Sequence, residues 1–324
     1  MEFPDKINTQ FSELLKIRYP IIVAPMFLVS NVAMVQAAIR AGATSAIPAM
    51  NYRTLDELRT AIREIKASVG GPFGINLIVN KSNFSYKDQL AAVCEENVDF
   101  IITSLGSPEE AINQAHQHDI KVFCDVTNTK YARKVEQLGA DALIAVNKEA
   151  GGHAGNIPAK ELISALLKEC SIPVISAGGV GNGFELREIL AHGAAGVSMG
   201  SLFIASKESP VNQEYKQACI DYGADDIVMT TKISGTPCTV IKTPYVEEIG
   251  TEQNWLERLL NRNQHVKKWF KALTFYQGMK GLRKAAFSAT YKTVWCAGPS
   301  IEHVNEILPI ETIIKNLVAE YSQR

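Results

Sequence analysis

From Pro20 to about Lys207, short apolar runs alternate with longer amphipathic stretches, and eight such pairs follow one another. The apolar runs fall at residues 21–24, 45–48, 73–79, 100–104, 121–125, 142–146, 174–176 and 196–199. Each is short and almost continuously apolar, the pattern of a strand buried on both faces of a parallel sheet. Between them, stretches such as 54–69, 86–97, 108–118, 128–138 and 158–167 carry helical periodicity. Several open on Thr, Ser or Asn, whose side-chain oxygens accept first-turn N–H groups. Alternation of this kind predicts βα units, and eight of them predict an α/β fold closed as a (β/α)₈ TIM barrel. The competing arrangement is an open doubly wound sheet, but the first run leads into Pro25-Met26 rather than into a G-x-G-x-x-G turn.

Gly42, Gly139 and Gly193 each stand where a helical stretch gives way to the next apolar run, as glycines that end helices do. The eighth unit ends near Lys207, so residues 1–210, completed by 299–324, are expected to form the barrel, and 211–298 a smaller, mainly helical domain. That appendage contains a β-prone stretch at 227–241, broken at Gly235-Thr236-Pro237, then a charged amphipathic region with Trp255, Trp269 and Phe270. Its aromatic residues are candidates for a substrate tunnel or a homodimer contact. The final helix, 310–321, is amphipathic and is expected to pack back on the barrel.

Composition narrows the function without naming it. With 324 residues, a formal net charge of -1 and no long basic block, the chain offers neither a nucleic-acid groove nor a surface for anionic membranes. The partner expected is a small molecule. The first residues lack a basic-then-apolar leader, and no apolar run approaches the ~20 residues that span a bilayer, which predicts a soluble, cytoplasmic protein. Six cysteines without a C-x-x-C pair fit reduced, mostly buried thiols rather than a disulfide framework or zinc site.

In a barrel of this type the chemistry lies at the C-terminal ends of the strands. Two glycine-rich turns fall there: Ala177-Gly178-Gly179-Val180-Gly181-Asn182-Gly183 after the seventh strand and Gly200-Ser201 after the eighth. Exposed backbone N–H groups in both make a phosphate site, although tight turns alone explain either loop taken singly. Ala24-Pro25-Met26 after the first strand could line the face of a flat ring, and the Asn76 carboxamide could bond its heteroatoms. Together they suggest an aromatic mononucleotide.

The segment Glu149-Ala150-Gly151-Gly152-His153-Ala154-Gly155 then sets one histidine among three glycines after the sixth strand. Gly152 lets a cofactor approach the main chain closely, and His153 supplies a proton acceptor near neutral pH on what reads as a flexible loop. Asp125, at the end of the fifth strand, could face the cofactor, orient a substrate or His153, or equally pair with Lys130 or Lys148. His116, His118 and His192 read as solvated or helix-ending residues. His265 and His303 fall toward the appendage without metal-ligand spacing.

These motifs resemble the nitronate monooxygenase family, also called 2-nitropropane dioxygenases, and the related flavin-dependent enoyl-acyl-carrier-protein reductases. The likeness spans 20–209 and returns faintly at 295–307. Its most specific pieces are Gly139-Ala140-Asp141-Ala142-Leu143-Ile144 leading into 149–155, then Pro173-Val174-Ile175-Ser176-Ala177-Gly178-Gly179, then Gly196-Val197-Ser198-Met199-Gly200-Ser201. The resemblance implies FMN as cofactor: Ala24, Pro25 and Met26 against the isoalloxazine, Asn76 on its edge, and Ala177, Gly178, Gly179, Gly200 and Ser201 on the phosphate. It implies that His153 stands over the flavin to deprotonate a nitroalkane or bind a nitronate, which molecular oxygen then helps convert to a carbonyl compound and nitrite. An NADH-dependent reductase of an enoyl thioester or quinone, or a phosphate-ligand-binding barrel without catalysis, are the alternatives. The chain departs from the family pattern at Val146-Asn147, where glutamate and glycine are frequent, at Ser201 and Leu202, and at Ala297-Gly298-Pro299-Ser300 in place of Ala-Gly-Gln-Ser. Proline there removes a backbone donor and a carboxamide.

Overall fold

A computed structural model of the chain describes residues 4–80, 83–232, 237–252 and 294–323. Its strands in chain order are β1 (Ile21–Val23), β2 (Thr44–Pro48), β3 (Gly74–Ile78), β4 (Phe100–Ser104), β5 (Lys121–Val126) and β6 (Ala142–Val146). They continue as β7 (Gly152–His153), β8 (Val174–Ala177), β9 (Gly196–Met199), β10 (Ile227–Thr230) and β11 (Cys238–Ile241). Eight of them, β1 to β6 with β8 and β9, close into one barrel. Every pairing in it is parallel, and β1 seals it against β9 with Ile21 opposite Val197. The expected barrel is thus the observed one, with each strand within about a residue or two of the apolar run that predicted it.

Local signals in the sequence account for the helices between strands. Thr54 and Glu57 form a reciprocal capping box at the start of Leu55–Ser68, and Asn128 caps Thr129–Gln137 through its side chain. At the other ends, Gly42, Gly139 and Gly193 hold φ of 89°, 97° and 105°, a left-handed region that glycine enters without penalty. The barrel interior is filled by Ile22, Phe100, Ile102, Phe123, Ile144 and Ile175. Phe11, from the short helix Gln10–Leu15, plugs one end, edge-on to Phe123 at 5.8 Å, while Phe100 and Phe123 stack at 4.9 Å. A larger core lies between the strands and the surrounding helices. With one end of the barrel plugged by aromatic rings, a ligand is left the other.

The helix Ile310–Ser322 packs against Val32–Arg40 and Gly183–Ala191, as its amphipathic pattern predicts. In the stretch expected to be a helical appendage, the described residues hold the helices Gln213–Asp221 and Pro244–Ile249 and also a three-stranded sheet, β10-β11-β7. Its strands β10 and β11 come from the β-prone stretch, and its third, β7, comes from the barrel's own loop. Trp255, His265, Trp269 and Phe270 lie outside the described residues. No helix among the described residues is long and apolar enough to cross a membrane.

Candidate active site

A cavity of about 1110 Å³ opens at the C-terminal ends of the barrel strands. It is larger than most small-molecule sites, which run roughly 300–1,000 Å³, so it has room for a cofactor and a substrate together. The structure brings Ala24, Pro25, Met26, Asn76, Asp125, Gly152, His153, Ala177, Gly178, Gly200 and Ser201 onto its wall. Gly179 is set behind that wall, where a Cβ would lie 3.1 Å from the Cβ of Glu149.

The turn after β1 is pinned from behind. Ser30 Oγ accepts from Met26 N at 2.8 Å and donates to Ala24 O at 3.1 Å. Asn51 bonds Leu28 N and Ser30 O, which holds Leu28 at φ 59°. A non-glycine residue in that region needs such support. Asn51 does not announce this role in the sequence, because it acts through contacts with a segment more than twenty residues away.

Across β3, β4 and β5 runs a polar relay. Asn76 Nδ2 donates to Ile102 O at 3.2 Å and to Ser104 Oγ at 2.8 Å, and Ser104 Oγ donates to Asp125 Oδ2 at 2.5 Å. With both amide protons engaged, the Asn76 oxygen is the atom left to accept from a ligand. Asp125 therefore forms no ion pair with Lys130 or Lys148, the alternative its position left open; Lys148 approaches Glu149 instead. Burial pushes the Asp125 carboxyl up to about 6, against the opposing pull of the Ser104 bond. Ser104 was absent from the sequence reading. Its signal is the one that found Asp125, a polar side chain at the end of an apolar run.

His153 lines the same cavity. The expectation of a flexible loop is corrected here: His153 belongs to β7, antiparallel to β11, with Cys238 as its cross-strand partner and Gly152 opposite Thr239. Thr239 Oγ1 also lies 2.8 Å from Ala150 O and 3.3 Å from Gly152 O. The imidazole keeps accessible surface, yet it lines the cavity and protein crowds it closely enough to strip hydration from the charged form. That desolvation lowers its pKa, so the neutral ring is favoured near pH 7.

The two glycine loops meet through groups the sequence left in the background. Asn147 is fully buried; its Nδ2 donates to Gly178 O at 3.0 Å and its Oδ1 accepts from Glu149 N at 2.9 Å. Gly178 has φ 107°, and a Cβ there would collide with Ala150 N and lie 2.5 Å from Asn147 Oδ1. Gly298 N donates to Ser201 Oγ at 2.8 Å, and a Cβ on Gly151 would lie 2.7 Å from that same oxygen. The family departure at Asn147, and Gly298 just before the departure at Pro299, thus sit where three loops interlock. His303, read as part of the appendage, packs on the loop after β8, with Nε2 3.2 Å from Glu185 Oε1 and 3.3 Å from Asn182 Nδ2. His116 pairs with Asp141 at 3.0 Å and His192 lies 2.8 Å from Ser164 Oγ, both away from the cavity. Among the described residues no cluster could hold a metal.

The parallel barrel presents a histidine and paired glycine loops at one rim, and sequence comparison gives its class as an oxidoreductase. The sequence model of the nitronate monooxygenase family matches residues 8–85 and 81–320. The chain belongs to that family of flavin-dependent oxidoreductases. A Mycobacterium tuberculosis protein, (3aS,4S,5R,7aS)-5-hydroxy-7a-methyl-1-oxo-octahydro-1H-indene-4-carboxyl-CoA dehydrogenase, is 33% identical over 247 residues, 75% of this chain and 69% of its own. A nitronate monooxygenase of Paraburkholderia phytofirmans is 29% identical over 270 residues, 68% of this chain and 73% of its own. Among solved structures, FabK from Thermotoga maritima superposes with a TM-score of 0.85 at 29% identity, covering 98% of this chain and 96% of that one.

Proposed function

We propose that this protein is an FMN-dependent oxidoreductase that oxidises alkyl nitronates and nitroalkanes, with oxygen as the final acceptor and His153 as the proton-handling residue. The observation that carries the reading is the placement of the His153 imidazole on the cavity wall together with the glycine loops after β8 and β9, with desolvation lowering the ring's pKa. FMN fits the residues present. Gly178 adopts a conformation closed to other residues, and Gly200 leaves room that a Cβ would contest with Met26 Sδ at 3.2 Å. Ala177, Gly178, Gly200 and Ser201 would hold the phosphate, Gly179 would support that turn, and Ala24, Pro25 and Met26 would flank the ring. Asn76 would accept from the ring edge through its free oxygen, Gly152 would admit close approach of the ring, and Asp125 would complete the polar side of the site.

When bound, FMN supplies the electron acceptor and the route to oxygen. The remaining steps belong to the protein. His153 takes the proton from the carbon bearing the nitro group, and its position on β7 keeps Nδ1 and Nε2 within a wall rather than a swinging loop. The imidazolium that results stands beside the negative charge left on the nitro oxygens. The relay from Asn76 to Asp125 orients the opposite wall without an ion pair. The barrel (1–210 with 299–324) would carry the cofactor, and 211–298 would form the substrate side.

A second reading has its own support. The carboxyl-CoA dehydrogenase of Mycobacterium tuberculosis and FabK are both similar to this chain, and the cavity is large enough for a thioester beside a flavin. In that reading the protein exchanges electrons between NADH and an enoyl thioester. Anaerobic mixing separates the two. The flavin absorbance is expected to bleach with propyl nitronate and to persist with NADH; bleaching by NADH alone would sink the nitronate reading.

A further inference from the structure

Cys238 and Cys296 are 58 positions apart in the chain, yet their sulfurs are 3.7 Å from each other. Both residues line the cavity, and both are free thiols. Among the described residues no other pair of thiols is in contact. Cys238 is buried within β11, whereas Cys296 is half-buried. Their two segments hold the same wall from different sides. Cys238 is the cross-strand partner of His153. Cys296 stands two residues before Gly298, whose N–H bonds Ser201 and whose backbone abuts Gly151. Tyr215, stacked on Trp295 at 5.6 Å, fixes the Cys296 carbonyl through its hydroxyl at 2.5 Å.

We propose that Cys238 and Cys296 are a redox pair, converted reversibly to a disulfide by hydrogen peroxide or an organic hydroperoxide that enters the cavity, and that this bond staples the His153 strand to the segment around Gly298. A disulfide needs sulfurs about 2.05 Å apart, so closing the present gap takes a movement of under about 2 Å. The more accessible Cys296, as thiolate, attacks the peroxide oxygen, the O–O bond breaks, and the departing oxygen leaves as water or an alcohol once protonated. Cys296 is then a sulfenic acid. The Cys238 sulfur attacks the Cys296 sulfur, the S–O bond breaks, and the hydroxide released takes the Cys238 proton to form water. Two thiols thereby lose two electrons and two protons, all of which the hydroperoxide accepts. The contact with Cys296, together with burial, holds the Cys238 thiol protonated well above its usual range, which disfavours it as the thiolate that meets the peroxide.

The test uses the purified full chain. After treatment with hydrogen peroxide, free thiols are alkylated under denaturing conditions, the protein is digested without reductant, and peptides are weighed. The expected product is a peptide pair joined through Cys238 and Cys296 that dithiothreitol separates. In Cys238→Ser protein, dimedone is expected to trap the sulfenic acid at Cys296. In Cys296→Ser protein, neither a link nor an adduct at Cys238 should form. Amide exchange across 151–154 should slow by roughly tenfold in the oxidised protein and recover on reduction, as expected when a local opening is restrained. Oxidation at Cys296 or Cys170 in the wild type without the 238–296 link would overturn the redox pair. A link that leaves exchange across 151–154 unchanged would overturn the staple.

Discussion

His153 is where chemistry and sequence meet most directly. Desolvation by the surrounding protein lowers its pKa and so favours the neutral ring, the form a general base requires. His153→Asn protein is expected to keep its flavin and to lose at least ~10²-fold in kcat/KM for a neutral nitroalkane, the usual scale for a lost general base. Preformed nitronate should be affected far less, since its proton is already gone; equal losses with both substrates would argue for a binding role. As pH falls through its lowered pKa the base becomes protonated, so the acid limb of the wild-type profile should lie below the roughly 6.5 of an ordinary histidine.

Asp125 makes the opposite kind of prediction. Its folded-state pKa of about 6 lies above that of an unfolded aspartate, roughly 3.9, so the folded protein binds the proton more tightly. The cost of holding this carboxylate is therefore complete above about pH 6 and vanishes below about pH 4. Asp125→Asn still offers an oxygen to Ser104 and should stabilise the protein at pH 8 by roughly 1–3 kcal/mol in urea unfolding, with little gain at pH 4. The same gain at both values would show that desolvation is not the cause. At this scale the sequence was readable wherever a residue announces itself locally: a histidine among glycines, a carboxylate ending an apolar run. Asn51 and Asn147 stayed hidden because each acts by joining two segments that are separate in the chain.

Among the elements, the strands and capped helices of the barrel were legible because burial on both faces and first-turn caps leave a local imprint. The sheet β10-β11-β7 was not. Its β7 strand is two residues long and contains a glycine, and its partner lies 87 positions away in the pairing of Thr239 with Gly152. No periodicity survives in so short a segment. That pairing nevertheless determines how firmly His153 is held. Thr239→Val removes the hydroxyl between Ala150 O and Gly152 O while preserving side-chain shape. It should cost about 1 kcal/mol of stability, speed amide exchange across 150–155, and lower kcat roughly tenfold at unchanged flavin content. A variant that loses flavin in proportion to activity would place the effect on the cofactor site instead.

In the whole molecule, two segments far apart in sequence, around Phe11 and at Ile310–Ser322, brace the barrel. Phe11 seals one mouth of the barrel, and the helix Ile310–Ser322 rests on the helices that follow β1 and β8. Glu320 accepts the Gly183 N–H at 2.7 Å, just beyond the glycine turn, and Arg40 meets Glu311 at 2.8 Å. Ile314 is fully buried in this contact. Ile314→Ala should cost roughly 2–5 kcal/mol, read as a lowered urea midpoint, and should weaken flavin retention in parallel. Unchanged retention at the lowered stability would show that the turn after β8 stands without its outer support.

The same last helix sets a timetable for the newborn chain. Protein synthesis runs from the N-terminus, and Gly183 becomes available for folding well before Glu320 has been joined to the polypeptide. Throughout that interval the backbone N–H of Gly183 lacks its carboxylate partner, and the exposed sides of two barrel helices lack their cover. Support of the turn after β8 thereby waits on residues 310–322: a ribosome stalled shortly before Ile310 would carry a nascent barrel in which that turn is unsupported.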